Sequence, residues 1–395
     1  MEIVVTKIIN WIILLALLLL LPVNYLSAQP GGEGVVIGKS YSLKSDIFNE
    51  ERTVLVYLPA SYRTSNEKYP VLYVLDGYDH FHYVSGVVLT LSRSCKIPEM
   101  IVVGIYNPHR NRDFTPIPFE EKPNSGTKDK FLKFAEKELF PFIEDNLRTQ
   151  SCRLLIGHSL CGMFSIYTML NYPKIFKGII AVSPGAWIND NFLIKFTKQS
   201  LKINSDLNNI LYFSVGGSEH KDDIESVLEL KRVFETTDHP GLDWKFEFRE
   251  GEDHFSVVDI SIYNGLCFVF SDMMATDKLS FDTTDKITSH YEKLSNKYGY
   301  KIKIPERFLN SAGYDYLKKG EIFSSIDAFK KNLEQYPNSA NAYNSLAEAY
   351  EANNQIEEAL KHYKKAVEIA NKNRDPNLYY FMQDYENIRK KIFNR

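Results

Sequence analysis

Cysteine is scarce: the chain of 395 residues has four, Cys95, Cys152, Cys161 and Cys267, and none of the paired spacings of a metal site. Four thiols are too few for a disulfide scaffold, although an oxidising compartment would allow one bridge from Cys95 to another. No block of lysines and arginines stands out and the formal charge is −3, so the footprint of a nucleic-acid-binding protein is missing. Long apolar runs are also wanting: the one from Trp11 to Leu21 is short of the ~20 residues that span a bilayer. What remains, 44 % hydrophobic and 25 % charged, suits one or two globular domains. The aromatic supply is large, with 25 Tyr and 25 Phe, and core packing is its default use.

Residues 1–28 read as a secretory signal. Lys7 precedes the apolar run, Pro22 ends it, and Leu26-Ser27-Ala28 supplies small residues for a cut before Gln29. The expectation is export to the periplasm or beyond, the alternative being an uncleaved membrane anchor. No cysteine near the cut offers a lipid attachment point.

From residue 34 to 274 short β-branched or aliphatic runs alternate with helical patterns. Val54–Leu58, Val71–Leu75, Met100–Ile105, Leu154–Ile156, Ile179–Val182 and Ile210–Val215 read as strands, while Phe131, Phe134, Leu139, Phe142 and Ile143 recur at helical spacing. Such alternation predicts an α/β fold, a mostly parallel central sheet with helices on both faces. The first strands, Val35–Leu43 and Arg52–Leu58, are too close for a crossover and should pair antiparallel. Ligands in sheets of this kind bind at the carboxyl ends of the strands.

At one such end stands Gly157-His158-Ser159-Leu160-Cys161-Gly162. A sharp strand-to-helix turn projects a serine hydroxyl from a packed sheet and marks Ser159 as the candidate nucleophile. Cys161 occupies the position where this motif carries glycine and reads as a small core residue. Beyond another strand, Asp76-Gly77-Tyr78 forms a loop in which Gly77 would let the backbone approach a substrate. The N–H groups of Tyr78 and Leu160 are the candidate oxyanion donors. The fold orders its partners serine, acid, histidine. His254, on a loop after the pattern Trp244–Phe248, is the candidate base. Glu219 is the first carboxylate past Ile210–Val215, with Asp222 and Asp223 as rivals. His80, His82, His109, His220 and His239 read as solvated surface histidines. Arg110 and Arg112 either clamp an anionic group or form surface ion pairs. The stretch Pro184–Asn209, with Trp187, Phe192 and Phe196, is placed to act as a lid that decides the substrate.

Together Pro70–Gly77, Ile97-Pro98, Ile101–Ile105, Arg110, Arg112–Pro116 and Gly157–Gly162 resemble the "Putative esterase" family of α/β-hydrolases. That family includes esterase D, feruloyl esterases, enterochelin esterases and mycolyltransferases. The resemblance covers about residues 35 to 275 and implies Ser159, Glu219 and His254 as the triad and Tyr78 and Leu160 as the oxyanion hole. It implies neither metal nor organic cofactor. The expected activity is hydrolysis of a small-molecule or glycan-linked ester through an acyl-enzyme. The alternatives are an acyltransferase and a non-catalytic binding protein that uses the hydrolase core as a scaffold.

Beyond a helical linker at 275–305, which contains the helix Thr284–Lys297, residues 306–395 repeat at about 34 residues. Gly313 matches Ala347, Tyr316 matches Tyr350, and Phe329 matches Tyr363, while Ser325 takes the place of a usual Ala. This resembles a pair of tetratricopeptide repeats, with a last helix carrying Leu378, Phe381, Tyr385, Ile388 and Ile392 as a cover. Such repeats imply a protein partner or self-association, or simple packing against the hydrolase. Export predicts a mature chain that starts at Gln29. Amino-terminal sequencing of protein recovered outside the cytoplasm checks it, and a retained Met1 would favour the anchor.

Overall fold

Among the described residues eight strands form one sheet, and its centre is made by segments buried on both faces. They are β1 (Lys39–Ser45), β2 (Glu50–Tyr57), β3 (Tyr69–Val74), β4 (Ile101–Ile105), β5 (Thr149–His158), β6 (Gly178–Val182), β7 (Asn209–Gly216) and β8 (Leu242–Arg249). Their spatial order is β1-β2-β4-β3-β5-β6-β7-β8. The computed structural model describes residues 35–393 apart from 116–117, 119–125, 127, 205, 238 and 275–282. The segment 1–28, expected to be a signal, thus lies outside the described residues.

As expected, β1 pairs antiparallel with β2, and β2 pairs antiparallel with β4; from β4 to β8 the pairing is parallel. The first strand begins later than its apolar residues suggested, at Lys39, because the short turn fixes the register at Lys39 opposite Val56 and Ser45 opposite Glu50. In β3 the two-residue period is plain. Val71 and Tyr73 join one core, while Leu72 and Val74 join the other.

Helices follow the strands: α1 (Gly77–Arg93), α2 (Leu160–Asn171), α3 (Ile188–Ile203), α4 (Lys221–Thr236) and α5 (Val257–Val269). Helices α2, α3 and α4 cover one face together with short helices between β4 and β5, and α1 and α5 cover the other. This is the expected α/β-hydrolase architecture. The proposed lid segment is mainly α3, and it is packed. Phe192 and Phe196 stack on each other and lie against Tyr167 of α2, so Trp187 alone of its three aromatics is half-exposed.

The helix expected near Thr284 is α6 (Thr284–Tyr298). Ile287, Tyr291, Leu294 and Tyr298 join the same core as α1 and α5; the Tyr298 ring stacks on Phe270 and its hydroxyl donates to the Val269 carbonyl at 2.6 Å. Then come α7 (Glu306–Lys319), α8 (Ile322–Gln335), α9 (Ala340–Ala352), α10 (Ile356–Asn373) and α11 (Leu378–Phe393). These form the helical repeats and their cover. Lys303, just before α7, pairs with Glu67 at 2.6 Å, and the Ser151 hydroxyl of β5 donates to the Gly299 carbonyl. The repeats therefore attach at the amino ends of the strands. All four cysteines are free thiols, so no bridge forms from Cys95.

The small position of the first repeat is sterically required. A Cβ on Gly313 would lie 2.4 Å from the Phe329 ring, which is fully buried. Gly313→Val should therefore overpack the α7–α8 contact and cost about 1–3 kcal/mol. Urea denaturation followed by circular dichroism measures this, and an unchanged midpoint would contradict the assigned packing.

Candidate active site

Ser159 joins β5 to α2 with φ 60° and ψ −118°, a conformation that non-glycine residues avoid. Neighbouring contacts hold it there. Its N–H donates to the Val182 carbonyl at 2.9 Å, and its carbonyl accepts from Met163 and Gly185. The turn is closed so tightly that a Cβ on Gly157 would sit 2.2 Å from the Cys161 carbonyl oxygen. Cys161 is fully buried, and burial raises its thiol well above the usual range, so it stays a neutral packing group.

The loop after β3 is tight for a different reason from the one its sequence suggests. The positive φ, 51°, belongs to Asp76, not to Gly77. Gly77 is needed for close approach, because a Cβ there would lie 2.4 Å from the Gly104 carbonyl carbon. Tyr78 sits in the first turn of α1 and Leu160 in the first turn of α2. First-turn N–H groups have no acceptor within their own helix and carry the positive end of its dipole. The Tyr78 side chain is 78 % exposed, so its contribution to the interior is its main chain.

Across the sheet, His254 Nδ1 donates to Glu219 Oε2 at 2.6 Å. The other oxygen, Oε1, accepts from the Gly216 N–H at 2.6 Å and the Ser183 hydroxyl at 2.5 Å. The Glu219 side chain has no exposed surface. Burial alone would raise its carboxyl, but the bonds from His254, Ser183 and Gly216 outweigh burial and leave it lowered. The hydrogen bond to Glu219 in turn raises His254 against its own burial. Of the three candidate acids Glu219 is the one that meets His254. Asp223 instead accepts from the Trp187 indole N–H, and Asp222 is largely exposed beside His220.

The loop that carries His254 is built locally. Asp253 Oδ1 accepts from the N–H groups of Phe255 and Ser256, and the Ser256 hydroxyl accepts from the Asp253 N–H. The loop is also tied to its neighbour, since the Ser218 N–H donates to the Glu252 carbonyl.

Three residues do more than their sequence context indicated. His158, next to Ser159, places its ring 4.6 Å from that of His254 and bonds the His254 carbonyl through Nε2 at 2.8 Å. His80, read as a solvated histidine, is half-buried with its ring 5.8 Å from His158. Arg110 bridges two loops, its Nε donating to Asp76 Oδ2 and its other guanidinium nitrogen to the His158 carbonyl, both at 2.8 Å. Arg112, by contrast, is engaged by Glu50 and Asp113. No sequence signal marks which way an imidazole or guanidinium turns, and these roles follow from the fold alone. Among the described residues no cluster of His, Cys, Asp and Glu could hold a metal ion.

Exposed aromatics rim this edge. Tyr78 and Tyr106 pair at 5.8 Å between ring centroids, Phe255 contacts the rings of both His254 and His158, and Trp187 is half-exposed.

The His254–Glu219 bond has a testable pH signature. His254 should titrate above its usual value of about 6.5, and Glu219→Gln should return it toward that value. The stabilisation from this pairing is fully present below about pH 6.5 and is lost as the pH rises through the raised folded-state value. Imidazole NMR titration of both proteins measures the difference, and equal titration midpoints would refute the coupling.

Comparison with known proteins agrees with this architecture. A tetratricopeptide repeat model matches residues 307–372. An uncharacterized Bacillus subtilis protein, YjcH, is 31 % identical over 193 residues, covering 47 % of this chain and 74 % of that protein. The ferri-bacillibactin esterase BesA of the same organism is 28 % identical over 247 residues, 56 % of this chain and 86 % of BesA. An IroE-like serine hydrolase from Shewanella oneidensis superposes with a TM-score of 0.66 at 24 % identity, over 75 % of this chain and 99 % of that one. Since the model described as "Putative esterase" also matches residues 45–249, about half of the sequence, the chain belongs to that esterase family and carries a tetratricopeptide region behind its hydrolase fold.

Proposed function

We propose that the protein is an exported serine esterase that cleaves a small-molecule ester of the siderophore type through an acyl-enzyme. The observation that carries the reading is the bond between buried Glu219 and partly exposed His254, whose ring lies against that of the residue preceding Ser159. In this mechanism the free Nε2 of His254 takes the proton of Ser159 Oγ as that oxygen attacks the ester carbonyl carbon. The oxyanion is met by the N–H groups of Tyr78 and Leu160, each worth about 2.7–4 kcal/mol by analogy with oxyanion donors that have been removed. His254 then passes the proton to the departing alkoxide. Water, deprotonated by the same imidazole, attacks the acyl-enzyme and releases the carboxylic acid and Ser159. Glu219 stays ionised throughout and fixes the Nδ1–H tautomer of His254.

Two observations support the substrate class. Tyr78, Tyr106, Trp187 and Phe255 offer flat apolar surfaces on which planar rings can stack. BesA, which aligns over most of its length, is by name an esterase of ferri-bacillibactin. Export, resting on residues 1–28, would place the enzyme where such ligands arrive. The repeats, attached at the opposite edge of the sheet, leave this rim clear and offer a separate surface for a protein partner.

Ser159→Ala should lower kcat by on the order of a million-fold on an aryl acetate and on a siderophore ester if the triad acts as a unit. A fluorophosphonate probe should label the parent chain and not the variant. Hydrolysis at parental rate by the variant would overturn the mechanism. Transfer of the acyl group to added alcohols in place of water would convert the assignment to acyltransferase.

A further inference from the structure

We infer that His158 is a positioning residue for the base: it holds the main chain of His254 so that the imidazole of His254 lies between Glu219 and Ser159. The inference rests on the esterase reading above and deepens it. His158 Nε2 stands 2.8 Å from the His254 carbonyl oxygen. A carbonyl only accepts, so Nε2 carries the proton and donates. His158 is 7 % exposed, and its ring packs 4.6 Å from that of His254 and 5.8 Å from that of His80. The nucleophile elbow thus reaches directly to the backbone of the residue whose side chain must serve it.

The other end of the same residue is tied as firmly. Its carbonyl accepts from Arg110, which also holds Asp76. His158 therefore connects the loop that carries Ser159 with the base loop through its ring, and with the loop that carries Tyr78 through its backbone. A misplacement of about 1 Å between loops that converge on a reacting centre can cost a hundredfold in rate.

The role requires a neutral donor. Burial first, then the neighbouring His254 and His80, lower His158 to about 3, so it holds no charge across the working range of an esterase. The ionisable groups around the pair are His80 and Arg110 facing His158, and Glu219, Asp223 and Arg110 facing His254. A fixed positive charge on His158 would oppose the imidazolium that forms on His254 during catalysis.

The test compares three substitutions in the full-length protein: His158→Phe keeps a flat ring but removes the donor, His158→Gln puts an amide N–H near the place of Nε2, and His158→Ala removes both. For His158→Phe we expect kcat to fall about a hundredfold with little change in KM. The acidic limb of the kcat/KM profile should also move to lower pH, because a loosened His254 loses part of its bond to Glu219. His158→Gln should recover most of the rate and the position of the limb. Parental kcat and an unshifted limb in His158→Phe would overturn the inference, as would loss in His158→Gln equal to that in His158→Phe. If His158→Phe fails to fold, the contrast between His158→Gln and His158→Ala decides, with thermal melting to confirm that both are folded. Failure of the underlying esterase reading would show separately, as a parent chain that neither hydrolyses esters nor reacts with a fluorophosphonate.

Discussion

The turn at Ser159 is the constraint on which the remaining geometry depends. A serine at φ 60° costs of order 1–3 kcal/mol, and it persists only because the surroundings leave no alternative. Gly157 and the Cys161 carbonyl are in near contact, β6 supplies an acceptor for the Ser159 N–H, and α2 is buried along almost its whole length. With the backbone fixed in this way, the hydroxyl, the Leu160 N–H and the His158 ring are all set by one segment of chain. Cys161 fits because its side chain goes into the core and its carbonyl, not its Cβ, closes the turn.

The proposed acid and base, Glu219 and His254, are positioned by a second set of ties that meets the first. Glu219 is anchored by its own strand end through Gly216 and by Ser183 just past the end of β6, so two ties besides His254 fix its orientation. His254 then sits on a short loop stiffened by Asp253 and Ser256. Desolvation works against the charged carboxylate. The three donors around it outweigh that cost, and this is the arrangement by which a buried acid can remain an anion beside an imidazole.

Much of this was legible in the residues. The sheet and its helices showed in period and run length, and Ser159 showed because a strand-to-helix turn with small neighbours leaves a local trace. Glu219 and His254 could be placed because each is the first residue of its type past a strand end. The choice against Asp222 and Asp223 needed coordinates, since all three follow the same strand and only direction separates them. Asp76 could not be identified as the left-handed residue, because the adjacent glycine is the more obvious candidate and is in fact required for close packing. The partners of His158 and Arg110 were hidden for a related reason: their bonds join segments far apart in the sequence, and such pairings leave no periodic mark. The packed state of α3 was hidden as well, because Phe192 and Phe196 are equally consistent with a lid and with a core.

Helix α6 lends Ile287, Tyr291, Leu294 and Tyr298 to the apolar layer beneath α1 and α5, although it follows the last strand by some distance in the chain. Any recombination event that swapped the carboxyl-terminal part at residue 274 would strip the Phe270 ring of its stacking partner Tyr298 and the Val269 carbonyl of its donor. The same layer continues through Ile302 and Ile304 to Leu309 and Ala312 of α7, so the hydrolase core and the first repeat helix share one packed surface and have no clean seam at which repeats could be exchanged.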